Sequence, residues 1–124
     1  MRWGEAPSSM PHGAKVSVLE GDPRHAGFFT MRLDLPSGAR LAPHTHPADE
    51  RVTVIAGTVR VGLGDKFDAT GGKTFTAGAF YVNPTPAPHF VWTDEGCVLQ
   101  ITGFGPWGIH YLDSVGEHAQ AGPP

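Results

Sequence analysis

Four residues of this 124-residue chain have the types and spacing of a metal-binding site. His44 and His46 are followed after three residues by Glu50, and His89 lies far along the chain. On an extended strand, residues i and i+2 point to the same face, so His44 and His46 can direct two imidazoles to one point. Residues 47–49 can turn the chain so that Glu50 faces the same way. Three imidazoles and one carboxylate suit a divalent transition metal.

The neighbours of Glu50 and His89 indicate that both side chains face an apolar interior. Glu50 shares a strand face with Val52 and Val54, and His89 begins a strand in which Val91 lies on the same face. An apolar face is an unusual place for a solvated glutamate and a reasonable place for a ligand that is aimed into a barrel. The alternative interpretation is a surface histidine cluster beside a solvated glutamate.

Short strands are the predicted elements for the rest of the chain. Apolar and polar residues alternate from Phe29 to Leu35, which is typical of a half-buried strand. The same alternation on both sides of Ala56–Thr58 predicts a hairpin with a tight turn there, and residues 64–73 predict a longer hairpin loop. No window has the apolar spacing of a helix without Gly or Pro inside it. Further strands are predicted at residues 73–77, 80–83, 90–93, 97–103 and 109–113.

Length and composition predict one β-rich domain. The 124 residues suffice for one domain and not for two, and 17 Gly and 12 Pro give the chain a high content of turns. Many short strands in a chain of this size leave two architectures open, an aligned sandwich and a small jelly-roll barrel. We expect residues 1–14 to form an extended or mobile arm, residues 15–115 to form the domain, and residues 116–124 to form a frayed tail.

Charge and composition argue against several classes of partner. The net charge of −3 and the pI near 6.1 do not fit a basic surface for nucleic acids. No apolar run approaches the roughly 18 residues of a membrane helix, and no apolar segment follows Arg2 as it would in a secretory signal. Cys97 is the single cysteine, so an internal disulfide is impossible, which fits a reducing cytoplasm. We therefore expect a cytoplasmic protein without a nucleic-acid or membrane partner.

The residues around this ligand set resemble the signatures of the cupin superfamily. From Gly38 to Gly57 the chain reads Gly-x5-His-x-His-x3-Glu-x6-Gly, which is the first cupin signature without a departure. The second signature, Gly-x5-Pro-x-Gly-x2-His-x3-Asn, is matched from Gly78 to Thr93, with Pro86 where the family usually has Gly and Thr93 where it has Asn. Because proline cannot adopt the positive φ that glycine can, we expect a stiffer loop with a different backbone path just before His89.

The resemblance covers residues 15–113, and the segment from Gly103 to Ile109 looks like a recurring ending of small bacterial single-domain cupins. It implies an all-β, double-stranded β-helix (jelly-roll) barrel and a homodimer. In some cupins the carboxylate leaves the metal and serves as a general base, which makes Glu50 the candidate catalytic residue. The resemblance also implies one divalent transition metal (Mn, Fe, Ni, Cu or Zn) held by His44, His46, Glu50 and His89.

Two classes of function stay open, because cupins include both enzymes and binding proteins and the fold alone does not choose between them. The first is a metal-dependent oxidoreductase of the dioxygenase type, which acts on a small carbonyl, enol or phenolic compound. The alternative is a non-catalytic module that binds a metal or a small molecule. A sugar-modifying cupin is disfavoured, because those enzymes often lack the metal ligands.

Three further residues are candidates for substrate binding. Gln100 interrupts an otherwise apolar strand, and a buried amide needs hydrogen-bond partners. Its side chain can point into the pocket, where it would bind a substrate or a metal-bound water, or it can face outward. Phe29 and Met31 are the other two candidates, as parts of the pocket wall or of the core.

Overall fold

The computed structural model describes residues 1–112, and strands are the only regular elements in that part of the chain. The predicted absence of helices is therefore confirmed for the described residues, and no helix capable of crossing a membrane occurs among them. The predicted tail, residues 116–124, lies outside the described residues, as do residues 113–115 of the predicted domain. The ten strands are β1 (Gly4–Glu5), β2 (Lys15–Glu20), β3 (Gly27–Leu35), β4 (Arg40–Thr45), β5 (Glu50–Leu63), β6 (Lys73–Thr76), β7 (Phe80–Asn83), β8 (His89–Trp92), β9 (Cys97–Gly105) and β10 (His110–Tyr111).

The strands form one antiparallel sheet that curls into a jelly-roll barrel, which confirms the predicted fold class. Across the sheet the order is β1, β2, β3, β9, β5, β8, β4 and β10, and both β6 and β7 pair with β5 outside this path. β3 pairs with β9 along its whole length, and burial alternates along both strands. Every second side chain from Phe29 to Leu35 and from Cys97 to Ile101 therefore points inward and contributes to one core.

The predicted hairpin at Ala56–Thr58 is wrong, because β5 continues through these residues without reversing. The first part of β5 pairs with β7 and β9, and the second part pairs with β6 and β8. A register shift between Val54 and Ala56 marks a bulge, and Gly57 follows with φ at +77°. A bulge and a glycine bend a strand without turning it back. The two apolar alternations thus belong to a single strand that passes from one region of the sheet to the other.

The loop predicted at residues 64–73 is confirmed as a hairpin connection. β5 and β6 are antiparallel, and their pairing extends to Val61 and Lys73. The residues between these two strands accordingly lie at the surface beside the second part of β5. β6 and β7 follow one another in the chain, but they pair with different parts of β5.

Both ends of the described chain pack on the barrel near β4. The N-terminal residues contribute β1, which pairs with β2, and the buried side chains of Met10 and Ala14. At the other end, β10 pairs with β4, and the Tyr111 hydroxyl donates a hydrogen bond to the Ser9 carbonyl at 2.7 Å. The N-terminal segment and the last strand therefore meet beside the strand that contains the first predicted metal ligand.

Thr93, which stands where the second cupin signature has Asn, closes the turn between β8 and β9. Its hydroxyl donates to the Thr58 carbonyl at 2.7 Å and accepts a hydrogen bond from the Gly96 N–H at 3.0 Å. In the loop before β8, the Ala87 N–H donates to the Pro84 carbonyl at 3.1 Å. Each of the two departures from the signature is therefore accommodated by local hydrogen bonds.

Candidate metal centre

Three strands deliver the four predicted ligands to one place in the barrel interior. His44 lies in β4, and His46 follows just after that strand. Glu50 is the first residue of β5, and His89 is the first residue of β8. β4 and β8 are antiparallel neighbours in which His44 pairs with His89. All four side chains are buried.

The three imidazoles converge, and the carboxylate lies beside them. The ring centroids are 4.3 Å apart for His44 and His89, 4.9 Å for His44 and His46, and 5.1 Å for His46 and His89. One ring nitrogen from each histidine lies within 4.8 Å of the other two. The Oε1 atom of Glu50 lies 3.1 Å from Nε2 of His46. The structure thus brings together three nitrogen donors and one carboxylate from two distant stretches of the chain.

Backbone carbonyls orient two of the three rings. His44 donates a hydrogen bond from Nδ1 to the Ala42 carbonyl at 2.6 Å, and His46 donates from Nδ1 to the Gly108 carbonyl at 2.7 Å. A carbonyl only accepts, so the proton of each neutral ring is assigned to Nδ1. This tautomer leaves the lone pair of Nε2 available, and it is the tautomer that a metal ligand held by a carbonyl adopts.

Two features of the site fit a metal ion. Both ring nitrogens of His89 lack a hydrogen-bond partner among the described residues, although the side chain is only 2% exposed. Buried polar atoms are normally satisfied, so this imidazole has the character of a ligand. In addition, Nε2 of His46 faces a carboxylate oxygen of Glu50 at 3.1 Å, and a cation between these two groups would be attracted by both. One divalent transition metal held by these residues and His44 would satisfy every donor.

Burial keeps the first and last imidazoles of the set neutral. Burial and the neighbouring rings of His89 and His46 lower the pKa of His44 to about 2. Burial, followed by the proximity of His46, lowers the pKa of His89 to about 4. Neutral imidazole is the form that binds a metal. These two rings therefore stay in the binding form well below neutral pH.

Two residues that the sequence did not single out as part of the site hold the carboxylate of Glu50. Trp107 donates from its indole Nε1 to Oε2 at 2.7 Å, and Asn83 donates from Nδ2 to Oε1 at 3.1 Å. The Trp107 ring also stacks on His46, with the centroids 5.7 Å apart. Trp107 lies in the segment that looks like a recurring cupin ending, and that resemblance is the signal in the sequence that could have identified it. Asn83 carries no such signal, and only its pairing with Glu50 across β5 and β7 places it here.

The space in front of the imidazoles is small and mostly apolar. Its volume is about 30 Å³, and its apolar wall includes Leu33, Leu41, Val52 and Ile101. A water molecule needs roughly 10–15 Å³ of such volume, so the cavity holds an ion together with a ligand of very few atoms. The surrounding apolar wall limits the access of water to the donor atoms.

Gln100, a predicted substrate-binding candidate, lies on the outer face of β9. Its Oε1 accepts a hydrogen bond from Nε of Arg32 on the neighbouring strand at 3.0 Å. Its chain neighbours Leu99 and Ile101 occupy the inward positions and are buried. Of the two orientations considered from the sequence, the structure therefore shows the outward one. The inward alternative, in which this amide binds a substrate or a metal-bound water, is wrong.

Phe29 and Met31, the other two candidates for substrate binding, are packed in the core and do not line the cavity. Both are buried on the inner face of β3. Leu33 and Leu35, later on the same face, do line the cavity. Phe29 and Met31 instead belong to the buried core cluster of the barrel.

The sequence has relatives among known proteins. A family described as a domain of unknown function, DUF4437, matches residues 1–106. The germin-like protein 5-1 of Oryza sativa subsp. japonica is 37% identical over 83 residues, which cover 66% of this chain and 37% of the rice protein. The chain thus spans little more than a third of the length of that curated relative.

Solved structures, among them one described as a cupin, share the fold. The polyketide cyclase RemF from Streptomyces resistomycificus superposes with a TM-score of 0.68 at 16% identity, covering 84% of this chain and 75% of that one. An RmlC-like cupin from Shewanella frigidimarina superposes with a TM-score of 0.65 at 18% identity, covering 83% and 82% of the two chains. At these identities the likeness establishes the architecture and leaves the chemistry to be argued from the site.

Proposed function

This chain belongs to the DUF4437 family and to the cupin superfamily, and from that premise we propose that it is a metal-dependent oxidoreductase of the dioxygenase type. The substrate is a small carbonyl, enol or phenolic compound. The observation that carries the proposal is the convergence of three buried imidazoles and one buried carboxylate, in which neither ring nitrogen of His89 makes a hydrogen bond of good geometry within the described part of the chain. A mixed nitrogen and carboxylate set is typical of redox-active first-row metals.

The four side chains that would hold the metal are His44, His46, Glu50 and His89. When bound, a redox-active divalent metal supplies Lewis acidity and electron transfer with O₂. On an ion that takes more than four donors, these residues would leave coordination positions for exogenous ligands.

The residues around the donors prepare the site for this chemistry. The carbonyls of Ala42 and Gly108 accept the two Nδ1 protons, which fixes the orientation of these imidazoles and directs Nε2 of each ring toward the site. The hydrogen bonds from Trp107 and Asn83 orient the Glu50 carboxylate. For Glu50 to serve as a general base, one of these two hydrogen bonds has to be exchanged for the proton of the substrate.

The proposed reaction balances without a further reductant. Oxidative cleavage of an enol breaks the carbon–carbon double bond and the bond of O₂, and it forms two carbonyl groups, one in a carboxylic acid and one in an aldehyde or ketone. Both oxygen atoms enter the products, and the organic compound supplies all the electrons.

Oxygen consumption by protein of defined metal content tests the proposal. The compounds are a panel of β-diketones, catechols and flavonols, and the variants are His89→Ala and, as a matched control, His110→Ala, whose side chain is exposed. We expect consumption of O₂ with at least one compound, retained in the control and lost in His89→Ala. Absence of consumption with every compound would refute the dioxygenase proposal.

A non-catalytic metal-binding cupin is the second candidate, and the small size of the cavity favours it. A volume of about 30 Å³ does not admit an organic substrate next to the donors in this conformation. This alternative predicts tight metal binding that depends on the same four residues, without consumption of O₂ for any compound of the panel. The same oxygen measurement therefore separates the two candidates.

A further inference from the structure

A second cavity on the outside of the barrel shares a wall with the metal cavity. This outer groove has a volume of about 480 Å³, which is within the range of small-molecule sites. Tyr81 and Asn83 line both the outer groove and the metal cavity. Two side chains therefore separate a space large enough for an organic molecule from the space that contains the metal ligands.

The path of β5 creates the outer groove. β7 pairs with β5 at residues 50–53, whereas β6 pairs with it at residues 58–61, beyond the bulge. The short turn 77–79 joins one end of β6 to β7, and the rings of Phe75 and Tyr81 stack near that turn with their centroids 4.5 Å apart. From there the two strands diverge, and the groove lies between them.

The lining of the outer groove combines an apolar floor with a few polar groups. Leu63 is 74% exposed, and Val82 is exposed as well, so both can contact a bound molecule. Lys73 supplies the one charged side chain of the lining and forms no ion pair within residues 1–112. The Tyr81 hydroxyl makes no hydrogen bond in that part of the chain either. Asn83 donates to Glu50, so the wall of the groove contacts a metal ligand directly.

We propose that the outer groove is the substrate site and that it selects a small phenolic or enolic acid with an apolar body. The carboxylate pairs with Lys73, the body packs on Leu63 and Val82, and the phenol or enol oxygen accepts a hydrogen bond from Tyr81 at the wall of the metal cavity. This inference rests on the proposed function and adds the charge and shape of its substrate. A free ammonium at the surface attracts a carboxylate, and an exposed apolar floor favours a body without charge.

Equilibrium binding of three small probes, measured by calorimetry on the protein as isolated, tests this inference. The probes are para-hydroxyphenylacetate, phenylacetate, which lacks the hydroxyl, and para-hydroxyphenylacetamide, which lacks the charge. The variants are Lys73→Gln, Tyr81→Phe and, as a matched control, Lys66→Gln, because Lys66 does not line the groove.

We expect Lys73→Gln to weaken binding of both acids about tenfold and to leave the amide unchanged, since a charge-assisted hydrogen bond is lost. We expect Tyr81→Phe to weaken only the two hydroxylated probes, by about threefold or more. Lys66→Gln should behave like the wild type. Absence of binding, equal affinity for acid and amide, or insensitivity to Lys73→Gln would each overturn the inference.

The outcome is separable from that of the oxygen measurement, because none of the three probes has to react. Binding that depends on Lys73, without oxygen consumption by any compound, would support the groove and refute the oxidoreductase. If Lys73→Gln left oxygen consumption unchanged and the acids did not bind, the oxidoreductase would be supported and the groove would be refuted. Chemical-shift changes confined to the amides of Leu63 and Val82 would place the bound probe in the groove, and changes elsewhere would contradict that position.

Discussion

The indole of Trp107 donates its N–H to the carboxylate of Glu50 at 2.7 Å, from a segment that follows the last long strand. This hydrogen bond joins the end of the described chain to the first residue of β5. The same ring stacks on His46, and the Gly108 carbonyl accepts a hydrogen bond from that histidine. The segment around Trp107 thus positions two of the four proposed metal ligands without providing a donor atom of its own.

Replacing Trp107 by Phe tests this positioning role, because it keeps a ring beside His46 and removes the N–H donor. We expect metal affinity to fall about 10–100-fold, as is typical when the partner of a ligand is lost. We expect the free energy of unfolding of the metal-free protein to fall by about 1–3 kcal/mol, because one carboxylate oxygen loses its partner. Trp3→Phe, at an exposed position, is the matched control. Equal metal affinity in the two variants would contradict the role of Trp107.

Replacing Glu50 by Gln tests whether the carboxylate is a ligand. The amide has nearly the same size but carries no charge and is a weak donor to a transition metal. We expect the variant to fold, as judged by circular dichroism, and to lose at least about 100-fold in affinity for a divalent transition metal. The exposed Glu95→Gln is the control and should bind metal like the wild type. If Glu50→Gln bound the metal with wild-type affinity, the carboxylate would not be a ligand, and the site would consist of the three histidines.

The thiol of Cys97 is predicted to be unreactive in the native protein. Burial raises its pKa to about 11, and the side chain is 5% exposed. At about pH 8 only about one thiol in a thousand is ionised, and the thiolate is the reactive form. A chromogenic disulfide reagent should therefore label the native protein slowly and the unfolded protein at once, with a native rate that rises as the pH approaches the pKa. Complete labelling of the native protein within the mixing time would show that this thiol is not buried.

Replacing Gly57 by Ala tests the continuous course of β5. The residue has φ at +77°, and an added Cβ would collide with the Gly96 carbonyl. We expect a loss of at least about 2 kcal/mol in the free energy of unfolding measured with urea, from backbone strain and the displaced neighbour. At Gly4 an added Cβ meets nothing within 4 Å, so Gly4→Ala should cost far less. Similar stabilities for the two variants would argue against the bend as described.

The convergence of the proposed ligands was predictable in part because some of their geometry is local. The i, i+2 spacing of His44 and His46 and the apolar face shared by Glu50 and Val52 are consequences of strand parity alone, and parity survives folding. The distant His89 came from the resemblance to the second cupin signature. The structure places these four side chains together, and the pairing of β4 with β8 explains how a residue so far along the chain reaches the others.

The partners of the ligands were not predictable, because they depend on contacts between segments that are remote in sequence. Nothing local to Trp107 or Asn83 indicates that each donates to Glu50. The course of β5 was mistaken for a similar reason: Gly57 suits a tight turn as well as a bend in a continuous strand, and the choice is made by β6 and β7, which pair on opposite sides of the bulge. Gln100 also had two possible faces, and its pairing with Arg32 across the sheet decided between them.

Metal content measured by mass spectrometry is the most direct test of the central claim that His44, His46, Glu50 and His89 hold one metal ion. Tag-free protein would be dialysed against a mixture of Mn, Fe, Ni, Cu and Zn, together with His89→Ala and the exposed control His110→Ala. The account predicts one divalent ion per chain in the wild type and the control, and almost none in a folded His89→Ala variant. Equal metal content in all three proteins, or no metal in the wild type, would contradict it.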